Sequence, residues 1–293
     1  MTDKTQLWRA MQQAMNAVAT NLAPAVRAKL EDTSIEIQNL FPLGIAYEVR
    51  PEPIELKHLR NRDPYSVEQN QLNAIQRLRD AGLVDENDVI TQTAYDEYQS
   101  LIDAQDELAK SLNLMSESKL DEVVNYLKRA HDVAIDMDDM HSFQIHAGQK
   151  FPGNAVHLVY ELIARFAALR DDVHIKAWQH LDADGHTYEA ASLVWDGTAT
   201  NAATLMEARQ NRGYEESDWQ ATLDKLVEQG WLNKNSDDYA ATEEWNKIRS
   251  NVEVKTDELF YSIFADFSDD EIEHLLTLLK EVQAKFTPEP EAS

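Results

Sequence analysis

The stretch that decides the fold is YEESDWQATLDKLVEQGWLNKNSDDYAATEEW, from Tyr214 to Trp245. An acidic, capped start opens a helical pattern that ends at Gly230, a residue type that commonly terminates helices. Two large apolar residues, a polar turn and a short β-prone segment follow, which is the pattern of a hairpin. Thr242 then predicts the N-cap of another helix. The stretch therefore predicts a helix, a small hairpin and a second helix, in that order.

The composition around this stretch favours helix. The chain has 293 residues with 43% hydrophobic content, and only 8 glycines and 8 prolines to form turns. Such a length and hydrophobic content suit a globular protein of one large or two ordinary domains. Because the chain contains no cysteine, disulfides, thiolate metal sites and a cysteine nucleophile are excluded.

The charge balance is strongly acidic. The chain carries 27 basic and 53 acidic residues, a net charge of −26. Such a charge keeps a protein dispersed and disfavours an anionic membrane as a partner. The overall charge also disfavours DNA as a partner, although it does not exclude a local basic patch that binds DNA. The N-terminus lacks the pattern of a signal peptide and no apolar run is long enough to span a bilayer, so a cytoplasmic protein is expected.

Hydrophobic periodicity and capping residues predict helices along the whole chain. The predicted helical segments are 4–19, 24–30, 54–60, 66–82 with a Ser66 cap, 94–112 with a Thr93 cap, a start at Ser116 or Ser118, 154–178, 187–195, 199–210, 243–264 and 269–285. The corresponding domain organisation is an N-terminal unit at 1–130, an acidic connector at 131–152, a C-terminal unit at 153–286 and a disordered tail at 287–293.

The deciding stretch also has a counterpart in the first half of the chain. Leu78, Gly82 and Leu83 correspond to Leu226, Gly230 and Trp231, and Thr93 corresponds to Thr242. Further pairs follow in order up to the last predicted helix of each half, at an offset that stays near ~150 positions, which indicates an internal duplication.

These two segments resemble the multiple-antibiotic-resistance regulator (MarR) family of winged-helix proteins. The shared pattern is a recognition-type helix, a glycine followed by large apolar residues, a polar wing and a threonine that opens a long helix, at 78–94 and 226–245. The chain resembles more closely a MarR-like group whose members carry two such units in one chain. Its two second-half motifs are matched by Leu169, Arg170, Asp172 and His174, and by Arg212, Gly213, Tyr214 and Trp219.

The resemblance implies a mainly α fold of tandem winged helix-turn-helix units with small β-hairpin wings, joined by a long-helix pseudo-dimer scaffold. It also implies a regulator-type binding protein, which could be a DNA-binding transcriptional regulator with a small-ligand pocket. The alternative is an acidic protein-interaction module, or a mimic of DNA, that has lost DNA binding.

The two recognition-type segments differ in charge. The segment from Glu55 to Asp80 holds five basic and four acidic residues, whereas the one from Glu207 to Glu228 holds three basic and six acidic residues. Since DNA readers place cations against phosphate, the first unit is the better candidate. Asparagine and glutamine side chains can read adenine in the major groove, or simply form a solvated helix face. The DNA-binding candidates are Lys57, Arg60, Arg62, Gln69, Asn70, Asn73 and Gln76.

A second set of residues could line a ligand pocket between the helical layer and the second winged unit. Pockets are usually apolar and aromatic with a few polar groups. The candidates that fit this description are His174, Trp178, Tyr188, Trp195, Arg209 and Tyr214. Buried histidines also serve simply to hold helices together through hydrogen bonds, and that reading stays open for His174.

Specific signals for chemistry are absent from the sequence. The cluster from His131 to His146 contains histidines and aspartates that suit a divalent metal, but it lacks a recognised metal spacing, and an acidic connector is the favoured interpretation. No phosphate-binding, dinucleotide-binding or hydrolase motif is present. We therefore expect no metal, no cofactor and no enzyme, although a less favoured alternative is an enzyme that uses a His174 pocket.

Overall fold

The computed structural model describes residues 5–286 of the chain. Within these residues it contains thirteen α-helices and one small two-stranded antiparallel sheet. The fold is mainly α, as predicted, and consistent with a winged helix-turn-helix fold. None of the helices within the described range has the length and apolar character that a membrane span needs.

The same order of helices occurs in each half. The first half contains α1 (Thr5–Leu30), α2 (Leu40–Val49), α3 (Leu56–Arg62), α4 (Glu68–Asp80), α5 (Gln92–Ala109) and α6 (Glu117–Ile135). A short helix, α7 (His141–Ala147), follows. The second half contains α8 (Ala155–Trp178), α9 (Gly185–Trp195), α10 (Ala202–Ala208), α11 (Glu216–Glu228), β1 (Leu232–Asn235), β2 (Asp238–Ala241), α12 (Glu243–Tyr261) and α13 (Asp269–Phe286).

The long helices form a central scaffold with one continuous core. Apolar residues of α1, α6, α8 and α13 are buried together there with the C-terminal ends of α5 and α12. The first helix of each half packs against the last helix of the other, α1 on α13 and α8 on α6. Within each half, the first helix also packs against the helix that follows the hairpin, α1 on α5 and α8 on α12. Each half therefore makes the same helix–helix contacts with the other half.

Each half adds a smaller core beside the scaffold. In the first, residues of α2, α4 and the loop after α4 pack around Leu43 and Leu78. In the second, residues of α9, α11 and the hairpin pack around Trp219 and Trp245, both fully buried. Trp231, just before β1, and Trp245, in the first turn of α12, stack with ring centroids 4.6 Å apart.

The two predicted wings are formed to different extents. In the second, β1 and β2 pair in register from Leu232 opposite Ala241 to Asn235 opposite Asp238. In the first, Val84 and Ile90 form a single isolated bridge, so the expected pair of strands is absent there. The reason is local, because the Asp85 carboxylate accepts hydrogen bonds from the backbone N–H groups of Asn87 and Val89 and folds the segment into a tight turn.

The prediction that Thr93 caps α5 is wrong, and Thr91 caps it instead. The Thr91 Oγ1 accepts a hydrogen bond from the Ala94 N–H, and the Thr91 N–H donates to the Leu83 carbonyl. Thr242 does the same in the second half, where its Oγ1 accepts from Trp245 and its N–H donates to the Trp231 carbonyl. In both halves the cap is therefore the residue that closes the hairpin. Because the first hairpin is shorter than the second, the cap of α5 lies two residues earlier than predicted.

Two other predictions, the cap of α4 and the break near residue 20, are wrong. Ser66 does not cap α4, because its hydroxyl donates to Asp63 and Val67 occupies the N-cap position. The two helices expected before and after residue 20 form one helix, α1, with Pro24 inside it. A proline within a helix costs about 3 kcal/mol. Packing of the fully buried Val18 and Leu22 on the scaffold offsets that cost.

The predicted connector at 131–152 contains the last turns of α6 and the whole of α7. The carboxylate of Asp172 accepts hydrogen bonds from the backbone N–H groups of Ser142 and Phe143 at the start of α7. Phe143 is fully buried in the scaffold core. The segment is thus ordered by contacts with α8 that have no local sequence signal. The predicted disordered tail at 287–293 lies outside the described residues.

Candidate nucleic-acid interface and ligand sites

Helix α4 presents the face that a winged-helix reader would use. Its apolar residues Ala74, Ile75 and Leu78 face the core, which leaves Gln69, Asn73 and Gln76 exposed on the other side. Gln69 donates to Asn73 at 2.9 Å, so the two amides form one polar row along the helix. The face is uncharged at its centre and is open to solvent.

The remaining DNA-binding candidates divide into two groups. Lys57 and Arg60 are exposed or half-buried beside α4 and form surface ion pairs, with Glu55 at 2.8 Å and Glu68 at 3.7 Å respectively. Arg62 instead pairs with Glu48 at 3.0 Å, with only 21% of its side chain exposed. Asn70 donates to the backbone carbonyl of Asn211 in the second half. Arg62 and Asn70 therefore make contacts inside the molecule and do not belong to the exposed face.

Helix α11, the equivalent of α4 in the second half, presents a different surface. Its exposed residues include Glu216, Asp218, Asp224 and Glu228, with Lys225 as the only exposed base of the helix. Two acidic residues lie in its first turn, where they favour the helix dipole. The same residues would repel phosphate, so the charge difference expected from the sequence is present on the exposed surfaces.

The two halves of the chain meet at the starts of α4 and α11. Arg212 donates to both Glu189 oxygens and, at 2.6 Å, to Asp63 of the first half. The Val67 N–H, at the N-cap of α4, donates to the Arg212 carbonyl at 2.9 Å. Gly213 has a positive φ of 81°, and a Cβ there would lie 2.3 Å from the Asn70 amide nitrogen. The motif residues Arg212 and Gly213 thus hold the first half of the chain against the second.

The motif residues of α8 hold its neighbours in a similar way. Arg170 donates to Asp257 of α12 at 2.9 Å, and Asp172 binds the start of α7. His174 lies within hydrogen-bond distance of Thr256 in α12 and of Tyr188 in α9. Burial lowers the pKa of His174 to about 4, with the nearby positive charge of Arg249 acting in the same direction. His174 is therefore neutral at pH 7 and bridges two helices.

The six ligand-pocket candidates lie in two clusters. Trp178 stacks on Tyr188 with centroids 4.7 Å apart, next to His174, and Arg249 lies 5.2 Å from the ring of the more exposed Trp195. Arg209 belongs to the second cluster and donates to Glu189 at 2.8 Å. Tyr214 stacks on the buried ring of His186 with centroids 3.6 Å apart. The structure thus packs His174, Trp178 and Tyr188 together, and a ligand site formed by all six candidates stays a prediction.

A cleft of about 500 Å³ lies elsewhere, between the two halves. Its walls come mainly from α2, α5, the loop at 148–153 and α8, with one residue each from α1 and α7. Tyr47, Tyr98 and Tyr160 line it together with four acidic residues, Glu48, Asp103, Asp106 and Glu161. Sequence reasoning missed this site because its residues come from separate elements and share no spacing in the chain.

Charged side chains in the wall of the cleft and behind it form a connected chain. Glu48 pairs with Arg62 of α3, and His146 of α7 lies 3.7 Å from Glu48 and 2.8 Å from Glu161. Arg165, fully buried, pairs with Glu161 and donates to the carbonyls of Ala147 and Gln149. Although burial alone would raise it, the pKa of Glu161 is lowered to about 2 by the hydrogen bond from His146 and by Arg165. The Glu161 carboxylate therefore stays ionised well below pH 7.

The metal-ligand cluster considered between His131 and His146 is dispersed. His131 is buried in the scaffold beside Arg165, and burial lowers the pKa of His131 to about 4. Across residues 5–286, no three histidine or acidic side chains are placed to share a metal ion.

Comparison with known proteins gives one match. Residues 146–290 match a helix-turn-helix family. This segment spans α8 to α13, so the second half of the chain contains a helix-turn-helix domain. No curated protein and no solved structure shows significant similarity to the chain. Helix-turn-helix domains are typical of DNA-binding regulators.

Proposed function

We propose that this chain is a regulator-type winged-helix protein in which two MarR-like units, related by internal duplication, form a pseudo-dimer within one chain. The repeated order of six helices supports the duplication, as do the equivalent roles of Thr91 and Thr242. The exchange-related packing of α1 on α13 and α8 on α6 supports the pseudo-dimer.

The first unit is the one that contacts DNA in this proposal. The single observation that carries this assignment is the exposed amide row of Gln69, Asn73 and Gln76 on α4. Amide side chains form paired hydrogen bonds with adenine in the major groove. Lys57 and Arg60 lie beside this row, where they can approach the phosphate backbone. Helix α11 lacks such a row and carries acidic residues in its place.

A salt titration tests the proposal. Binding to a mixture of genomic duplexes is measured between 50 and 200 mM salt, conditions over which phosphate contacts dominate affinity (roughly one unit of salt slope per contact). The double variant Lys57→Ala with Arg60→Ala should weaken binding to all sequences and reduce the slope by about two. Lys247→Ala with Lys255→Ala, on α12, removes the same charge elsewhere and should leave the slope unchanged. Absence of binding at the lowest salt would refute DNA recognition.

The acidic face of α11 favours a second candidate function, an interaction module that binds a basic protein or mimics DNA. The variant Glu216→Lys with Glu228→Lys reverses two exposed charges on that face. It should abolish retention of a basic partner at low salt, whereas Glu117→Lys with Asp121→Lys on α6 should not. Equal effects of the two double variants would indicate a general charge effect and contradict a specific site.

A small effector ligand is part of the proposed regulator, and the predicted site around His174 can be tested directly. If a ligand binds there, its stabilising effect on thermal unfolding should be lost in a His174→Ala variant that still folds. An unchanged ligand-induced shift in that variant would remove His174 from the site.

A further inference from the structure

The cleft between the halves is lined by both aromatic rings and carboxylates. Its volume of about 500 Å³ lies within the range of about 300 to 1,000 Å³ that is usual for small-molecule sites. Aromatic rings and carboxylates make up much of the wall, and Lys150 is the only lysine or arginine that lines the cleft. Aromatic faces and carboxylates both attract cations and repel anions.

Two of the four carboxylates already have strong internal partners. Glu48 pairs with Arg62, and Glu161 pairs with Arg165 and His146. Asp103 and Asp106 differ from them. Asp106 accepts hydrogen bonds from the Asn154 N–H and lies 3.2 Å from the His157 ring, and Asp103 accepts from the Gln99 amide. Within residues 5–286 neither pairs with a lysine or arginine, and the exposed Asp103 leaves its negative charge accessible to a ligand.

The tyrosines place polarisable rings next to these charges. Tyr98 is in contact with α2, where a Cβ on Gly44 would lie 2.7 Å from the Tyr98 hydroxyl. Burial raises the pKa of Tyr98, and the nearby negative charges of Glu48 and Glu161 raise it further. Tyr47 lies beside Tyr98, with ring centroids 4.9 Å apart. The wall of the cleft is thus both aromatic and electronegative.

We propose that this cleft binds a small cationic ligand, an aromatic or aliphatic amine, whose positive charge lies near Asp103 and Asp106 and whose apolar body contacts Tyr47, Tyr98 and Tyr160. The site is distinct from the α4 face and from the His174 cluster. The calorimetric test of this site uses no DNA, so its outcome is separate from that of the DNA-binding test. A ligand here contacts both halves, since α2 and α5 belong to the first and α8 to the second.

Three indole compounds that differ in charge test the site. Tryptamine is cationic at pH 7.5, tryptophol is neutral and indole-3-acetate is anionic. Calorimetry on the full chain should detect binding of tryptamine, weaker binding of tryptophol and none of indole-3-acetate up to 10 mM. Indole-3-acetate binding as tightly as tryptamine would overturn the proposal, as would absence of tryptamine binding.

Two matched variants locate the binding. Asp103→Asn removes a cleft charge that accepts from Gln99, four residues earlier on α5. Asp96→Asn removes an equivalent charge on the same helix, which accepts from Gln92 but lies outside the cleft. Asp103→Asn should weaken tryptamine binding by about threefold to fivefold, the size expected for a partly exposed ion pair, and Asp96→Asn should not change it. Equal effects of the two variants would place the cation elsewhere and refute the site.

Discussion

Replacement of Arg212 by alanine should destabilise the contact between the two halves of the chain. The guanidinium donates to Glu189 at 2.9 Å and to Asp63 at 2.6 Å, and 17% of the side chain is exposed. The Glu189 side chain is only 9% exposed, so its carboxylate would lose a partner in a mostly buried position. Removing one partner from a buried ion pair typically costs about 3–5 kcal/mol. Because Arg209 still pairs with Glu189, we expect a loss near the lower limit, about 3 kcal/mol.

Urea unfolding followed by far-UV circular dichroism measures this loss. Arg129→Ala is the matched control, since Arg129 also makes a two-oxygen contact, with Glu271, but both side chains are substantially exposed. Exposed ion pairs contribute little to stability, so the control should stay close to the wild-type chain. Equal destabilisation by Arg212→Ala and Arg129→Ala would refute the reasoning that the Arg212 contact is a buried junction.

Three further outcomes are expected. Gly213→Ala should destabilise the protein more than Gly197→Ala, because both glycines have positive φ but only at Gly213 would the new Cβ clash with the other half of the chain. The midpoints of denaturant unfolding of the two variants measure this difference. Thr242→Val should cost about 1 kcal/mol through loss of the α12 cap, measured by the same unfolding, and no loss would contradict the capping role. Finally, the pKa of His174 lies below its ordinary value of 6.5, so this neutral side chain stabilises the fold above pH 6.5. The contribution of His174 to the free energy of unfolding is lost as the pH falls from 6.5 toward 4, by about 1.4 kcal/mol per pH unit. His174→Gln should therefore flatten the dependence of stability on pH between 7 and 5, and an unchanged slope would contradict it.

The features that were predictable from the sequence are those with local signals. Gly230 and Thr242 bracket a real hairpin, and Asn154 begins a real helix by accepting hydrogen bonds from Val156 and His157. The periodic apolar stripe of α8 was also informative, because an apolar pattern of that length favours a helix wherever it packs.

The features that were missed depend on distant partners. Pro24 predicts a break, yet α1 continues because its buried face packs on the scaffold. Helix α7 depends on Asp172, thirty residues away from Ser142. Arg62 has the residue type of a phosphate contact, but Glu48 holds it inside the molecule. The cleft combines α2, α5 and α8, and only the packing of the two halves brings them together.

The most direct test of the proposed function is sequence selection from a random DNA pool, followed by affinity measurements on α4 and α11 variants. Loss of one paired amide–adenine contact costs about 1–3 kcal/mol. Gln69→Ala with Asn73→Ala should therefore weaken binding to the selected sequence by at least tenfold, while binding to unselected DNA stays nearly constant. Ser217→Ala, on the exposed face of α11, should bind like the wild-type chain. Failure to enrich any sequence, or an equal loss in the α11 variant, would contradict DNA recognition by the first unit.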